Sequence, residues 1–229
     1  ICLFLRRNIY GYFIGSDLLR FKSSSSSQLI YRIIQRKIDI FVETDEMEEV
    51  AVNTGISVSR VQTYQTISSE FIQQTKIIKN DNVIAAYVGQ KNQSFYRVEK
   101  ILEAAHQLSS FKFIIIGDAP DDKLIPSNTS FTGWVDDMQS IYSLASVFIR
   151  IPLSDGLGLS AYEALSRGCN VITSTNKPHC FLYSPEKDLA MQIKTTYTMQ
   201  VDFDAVNKFV NEKFSEKKVK YQLSEMLGL

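Results

Sequence analysis

Two carboxylates eight positions apart, Asp155 and Glu163, bracket a glycine turn in the run Ser154-Asp155-Gly156-Leu157-Gly158. The apolar run Val147–Ile151 ahead of it reads as a buried strand, ended by Pro152, which has no amide hydrogen to give to a ladder. Ser160–Arg167 reads as a helix, closed by Gly168. Two glycines let a backbone approach a ligand closely, and a helix start presents amides and the positive end of its dipole. Together these features suit an anion, most naturally phosphate. With a diphosphate at that mouth, one carboxylate would stand near each end of it, and carboxylates readily accept hydrogen bonds from sugar hydroxyls. Each feature also has a plain explanation. The loop fits a tight turn, Asp155 a helix cap, and Glu163 an i,i+4 pair with Arg167 worth a few tenths of a kcal/mol.

Something must position that turn. Apolar runs alternate with amphipathic stretches along most of the chain, which predicts an α/β protein with a parallel sheet covered by helices. Strands are expected at Gly11–Ile14, Asp39–Val42 and Val61–Tyr64. A second series is expected at Val83–Val88, Lys112–Ile116, Val147–Ile151 and Val171–Ser174. Helices are expected at Tyr96–Leu108 and Asp136–Leu144. Ser23–Ser27, five consecutive serines, reads as a loop too polar to pack, and Ile72–Asn82 reads as a connection between domains. The expected organisation is residues 1–80 as a partial N-terminal lobe, 81–202 as a doubly wound domain, and 203–229 as one amphipathic helix.

Composition narrows the function. The 229 residues carry 25 basic and 25 acidic side chains, so no basic footprint exists for a nucleic-acid partner. No apolar run reaches the roughly 18 residues of a membrane span. Three cysteines, Cys2, Cys169 and Cys180, without a CxxC or a paired histidine point away from a disulfide framework or zinc. The opening ICLFLRRNIYGYFIG lacks Met and a cleavage site and is expected to be internal to a longer, cytoplasmic protein.

The stretch DGLGLSAYEALSRGCNVITS resembles the acidic-x7-Glu motif of retaining nucleotide-sugar glycosyltransferases of the GT-B fold, family four in particular. VIAAYVGQ with VEKILEAAHQL, FKFIIIGDAP, and FTGWVDDMQSIYSLASVFI resemble successive parts of that family's donor-binding lobe. YFIGSDLLR and KIDIFVETDEMEEVAVNTGI resemble the last strands of its acceptor-binding lobe. The resemblance implies a GT-B chain with a Rossmann-like donor domain and a partial acceptor domain, moving a hexose from a UDP- or GDP-sugar to a saccharide or lipid-linked acceptor. It implies that Asp155 meets hydroxyls of the transferred sugar and that Glu163 holds the ribose. Gly156, Leu157, Gly158 and Leu159 would offer backbone amides, Gly89 and Gly117 would close the donor-facing strand ends, and Trp134 or Val135 would lie near the base. No metal or other cofactor is implied, and Asp121, Asp122, Asp136 and Asp137 are expected to be loop and helix-start residues. The commonest setting of such relatives is cell-envelope polysaccharide synthesis, some of it at the inner membrane face. The helix QLIYRIIQRKID could contribute peripheral membrane contact, although a solvated helix face is the more common explanation of such a segment.

Gln90 stands where the family has an Arg, and Tyr96 or Arg97 falls near the usual Lys. Loss of those charges would weaken stabilisation of the departing diphosphate. Arg150 is the preferred substitute, with Lys91 and Arg97 bordering the other loop. A non-catalytic nucleotide-sugar-binding homologue is therefore the alternative, and an epimerase a third reading. His106 reads as a packing or surface residue, and His179, in NKPHCF, as a bystander to the cleft.

Overall fold

The computed structural model describes residues 2–5, 8–12, 24–34, 38–60, 65–72, 82–89, 93–121 and 123–227. The chain divides into two compact units, one of residues 1–66, 155–157 and 216–229, the other of 67–154 and 158–215.

In the first unit, β1 (Cys2–Leu5) and β2 (Asn8–Tyr12) pair as an antiparallel hairpin. β3 (Ile38–Val42) runs parallel to β2, and β4 (Ser59–Arg60) parallel to β3. The hairpin departs from the all-parallel expectation. Ile40 and Val42 of β3 point to a small core with Met47, Ala51 and Ile56. Helix α1 (Ser25–Ile34) starts inside the serine run, which is not a loop. Ser24 explains it: its Oγ accepts from the Ser27 amide at 3.3 Å and its carbonyl from the Gln28 amide at 3.1 Å, as a serine cap does. Arg32 of α1 donates twice to the Thr54 carbonyl, at 3.0 and 2.8 Å, just past α2 (Asp45–Asn53). Thr44 caps α2, and Asp45, Glu46 and Glu48 complement the dipole of its first turn.

The second unit is built on β5 (Val83–Gly89), β6 (Lys112–Gly117), β7 (Thr129–Phe131), β8 (Val147–Arg150), β9 (Asn170–Thr173) and β10 (Phe181–Leu182). They form one sheet in the order β10-β9-β8-β5-β6-β7, parallel at every pairing. Near-continuous burial of β5 and β8 follows from helices on both faces. Ile84, Ala86, Val88, Val147 and Ile149 face α3 (Val98–Gln107) and α6 (Leu189–Thr198). On the other face lie α4 (Met138–Leu144), α5 (Leu159–Ser166) and α7 (Phe203–Phe214), with Tyr142 packed edge-on against Phe148 at 5.1 Å. Gly168, at φ 77°, stops α5 as expected, with the Cys169 amide returning to the Ala164 carbonyl. Two short strands, β7 and β10, have too few residues for their period to show in the sequence. The stretch after Asp202 is two helices rather than one: α7 ends at Phe214, Ser215 is extended, and α8 (Glu216–Leu227) belongs with the first unit. The expected strand Val61–Tyr64, and Gln90, Lys91 and Asp122, lie outside the described residues.

Candidate functional site

Strand order locates the crevice. The chain begins the second sheet at β5, adds β6 and β7 on one side, then returns to add β8, β9 and β10 on the other. Ligands bind at the carboxyl ends of strands at such a switch point. Here that point lies between Gly89, which ends β5, and Arg150, which ends β8.

Three glycines bring the backbone close together beside it. Gly117 and Gly133 exchange amide bonds at 3.1 Å each, and the Asp118 amide donates to the Gly89 carbonyl at 3.1 Å. At Gly117, φ is 131° and a Cβ would come within 2.0 Å of the Gly89 oxygen; at Gly89, φ is 66° and a Cβ would meet the Tyr96 ring at 3.0 Å. Both positions require glycine for packing whatever they bind. Trp134 follows, 70% exposed, with its indole N–H held by Asp136 at 2.8 Å. The ring is thus held in one orientation with a face open to solvent. Val135 is half-buried. Asp137 caps α4, so this aspartate is a helix-start residue as expected.

Five described helices, α1, α2, α4, α6 and α7, take a side-chain cap from Ser24, Thr44, Asp137, Asp188 and Asp202. The two that start beside the switch point do not. α3 begins at Arg97 and α5 at Gly158, both left-handed, at φ 53° and 60°. Gly158, not Asp155, is the residue that caps α5. Asp155, Gly156 and Leu157 group with the first unit; Leu157 is buried and the other two are half-buried. Leu159 opens the helix, and Glu163 follows little more than one turn in, about 6 Å along the axis.

Period-2 alternation puts Arg150 with Phe148 on the α5 face, and Tyr87 on the same side of β5. The Arg150 guanidinium lies over the Tyr87 ring, 5.1 Å from its centroid. Its charge also reaches Glu163, whose carboxylate accepts a long 3.4 Å bond from the Tyr142 hydroxyl. Burial lifts the Glu163 pKa above the ordinary carboxylate range, and Tyr142 and Arg150 only pull it part of the way back. Burial also pushes the Tyr142 hydroxyl far up, so it stays a donor. The Arg167 pair expected for Glu163 does not form. Arg167 is buried, and its Nη2 donates to the Glu70 carbonyl and to Gln139 Oε1.

Arg97 is not a spare cation either. Its Nη1 donates to the Ile151 and Pro152 carbonyls, both at 2.6 Å, and its guanidinium lies 5.4 Å from the Tyr183 ring centroid. His106 is a surface residue on α3. His179, at φ 63°, packs on Phe209 of α7 at 5.3 Å. Tyr142 and Tyr87, the neighbours of Glu163 and Arg150, were not anticipated from the sequence. Tyr87 is findable from strand period, whereas Tyr142 lies 21 residues from Glu163 with no local signal. Among the described residues no group of three or more His, Cys, Asp or Glu side chains could hold a metal, and no helix is long and apolar enough to cross a membrane.

Residues 82–192, from the amide end of β5 into α6, match the family model described as glycosyl transferases group 1. The segment is similar to that family. The group 1 segment thus contains Gly89, Gly117, Trp134, Arg150 and Glu163, the whole switch point. No curated protein matches the chain. Among solved structures, S. aureus TarM in complex with UDP and alpha-GlcNAc-glycerol is similar at 15% identity and TM-score 0.74, over 96% of this chain and 50% of TarM. HepE of Anabaena in complex with UDP-glucose is similar at 14% and 0.70, over 95% of this chain and 71% of HepE. Sucrose-phosphate synthase from Thermosynechococcus elongatus is similar at 13% and 0.71, over 96% of this chain and 67% of the synthase. These likenesses show the fold, α/β of the GT-B glycosyltransferase type. The chain spans about half the length of TarM.

Proposed function

We propose that the chain is part of a retaining glycosyltransferase that moves a hexose from a UDP- or GDP-sugar to a saccharide or lipid-linked acceptor. The observation that carries this reading is the group 1 segment's α5 start: no side-chain cap, a left-handed Gly158, and a half-buried Glu163 about one turn in. A diphosphate at that mouth would accept helix-start amides from Gly158 and Leu159, and Glu163 would accept the ribose hydroxyls. Asp155 would take hydroxyls of the transferred sugar, with amides of Gly156 and Leu157 beside it. Gly89 and Gly117 would form the facing wall, and Trp134 and Val135 would receive the base. Arg150 would supply positive charge to the leaving diphosphate, without a metal or other cofactor. In this reading residues 81–202 are the donor domain, residues 1–80 the remainder of the acceptor side, and the setting is cytoplasmic synthesis of a cell-envelope polysaccharide. TarM with UDP and HepE with UDP-glucose support a nucleotide-sugar donor by likeness of fold.

Calorimetry with UDP and GDP, on this chain and on Glu163→Ala, tests the donor site. Micromolar binding of one nucleotide, lost in the variant, is the expected result. A well-folded chain that binds neither overturns it. One observation favours a non-catalytic binding homologue: Tyr96 packs against Gly89, and Arg97 is engaged with backbone carbonyls rather than turned to a ligand. Transfer to an acceptor separates the two readings.

A further inference from the structure

We propose that Arg97 is a positioning residue that sets the backbone entering the glycine turn, so that donor binding depends on a side chain that never touches the donor. Two loops leave the sheet at the switch point, one after β5 and one after β8. Two backbone carbonyls of the second loop, Ile151 and Pro152, are both held by Arg97 Nη1 at 2.6 Å. One residue on, the Leu153 amide donates to the Phe95 carbonyl at 2.8 Å. Three successive residues of the β8 loop are therefore fastened to two residues of the β5 loop. Pro152 cannot donate an amide bond, so carbonyl contacts are the means available for holding its backbone.

The backbone at Arg97 supports this reading. A branched-free but bulky side chain at φ 53° is strained, and such strain persists where the surroundings over-determine it. The surroundings here are the two carbonyls, the Tyr183 ring at 5.4 Å, and the Ser94 carbonyl, which accepts from the Arg97 amide at 3.1 Å. The left-handed turn lets α3 start immediately, since the Lys100 amide returns to the Arg97 carbonyl at 3.0 Å, while the side chain crosses to the other loop. A cation at this place would otherwise be assigned to the phosphates. Its Nη1 is committed to carbonyls instead, and its effect on a ligand passes through the loop that leads to Gly158 and α5.

The proposal rests on the reading of the α5 start as a donor diphosphate site. The test uses Arg97→Gly and Arg97→Lys in the full chain. Glycine adopts φ 53° freely, so Arg97→Gly removes the tether while relieving the backbone, which keeps the variant folded. Calorimetry with UDP and GDP should show binding weakened at least about ten-fold in Arg97→Gly and partly restored in Arg97→Lys, which can still donate to a carbonyl. Hydrogen exchange should become faster at Leu153 and at Gly158–Ser160, with β5 and β9 unchanged. Binding equal to wild type in Arg97→Gly, or unchanged exchange at Leu153, overturns the positioning role alone. If the wild type binds neither nucleotide, the donor-site reading falls and this proposal falls with it.

Discussion

Gly117 and Gly133 are partners in one backbone bridge, yet the same substitution should cost far more at the first than at the second. A Cβ on Gly117 would lie 2.0 Å from the Gly89 oxygen, 2.8 Å from the Gly89 carbonyl carbon and 2.8 Å from Val88 Cγ2. Two of those atoms are backbone in a buried strand and cannot swing aside, so β5 or β6 has to move by more than an ångström. Overpacking of this kind costs about 1–3 kcal/mol, and a glycine-only backbone conformation about 1–3 kcal/mol more. Gly117→Ala should therefore lose roughly 2–6 kcal/mol, which for a chain of this size lowers Tm by about 5–20 °C. At Gly133, φ is 64° but nothing lies within 4 Å of the added carbon. Only the left-handed cost remains, about 1–2 kcal/mol, offset by about 0.4–1 kcal/mol from a stiffer unfolded chain. Gly133→Ala should shift Tm by less than about 5 °C. Thermal unfolding followed by circular dichroism measures both. Melting temperatures within about 2 °C of each other would refute the argument that β5 and β6 meet at van der Waals limits.

Asn128 should prove a structural anchor: its Nδ2 donates to the Ala105, Leu108 and Phe111 carbonyls at 2.9, 3.0 and 2.9 Å, so Asn128→Ala cuts the side-chain tie between the start of β7 and the turn that follows α3. The loss should be about 1–3 kcal/mol by urea unfolding, and an unchanged midpoint would contradict it. Burial lifts the Glu163 pKa, so the folded protein holds that proton to higher pH than the unfolded chain does. The stability this gives is complete below the ordinary carboxylate value and is lost as pH rises through the lifted one. Glu163→Gln should accordingly be more stable than wild type at neutral pH and lose that advantage below about pH 4; equal stability at pH 7 would count against it. Nucleotide affinity in the wild type should fall on acidification through the same lifted value, since ribose hydroxyls need a carboxylate acceptor. Burial pushes the Cys180 thiol up to about 12, and Cys169 is buried beneath the Tyr142 and Ala145 carbonyls. Iodoacetamide at pH 8 should label both only after unfolding, and rapid native labelling at Cys180 by peptide mass spectrometry would show the loop to be open.

Much of the site was legible because its signals are local. Pro152, the glycines and Gly168 punctuate the chain through their own φ limits, and the run Val147–Arg150 is buried at three of four positions. The same locality misled elsewhere. Five serines look too polar for a helix, but Ser24 caps one while Leu29, Ile30 and Ile33 are carried on its exposed side. The β1–β2 hairpin pairs residues only three to nine positions apart, but Arg6-Arg7 between its strands give no glycine or asparagine turn signal. Strands β7 and β10 are too short for their period to show, and no Pro or Gly marks the break at Ser215.

What the sequence determined by itself is the alternation that gives a parallel sheet, and a glycine turn at a strand end with a glutamate on the helix behind it. Those follow from backbone stereochemistry and from the strand and helix periods. Only the tertiary structure decided where the guanidinium groups go. Arg167 turns to Glu70 and Gln139 rather than to Glu163, and Arg97 turns to carbonyls 54 and 55 residues away. Arg150 lies over Tyr87 with Glu163 within reach of its charge. A guanidinium offers its donors to whichever acceptors folding brings alongside. Those acceptors lie on segments far apart in sequence that become neighbours only in the folded chain.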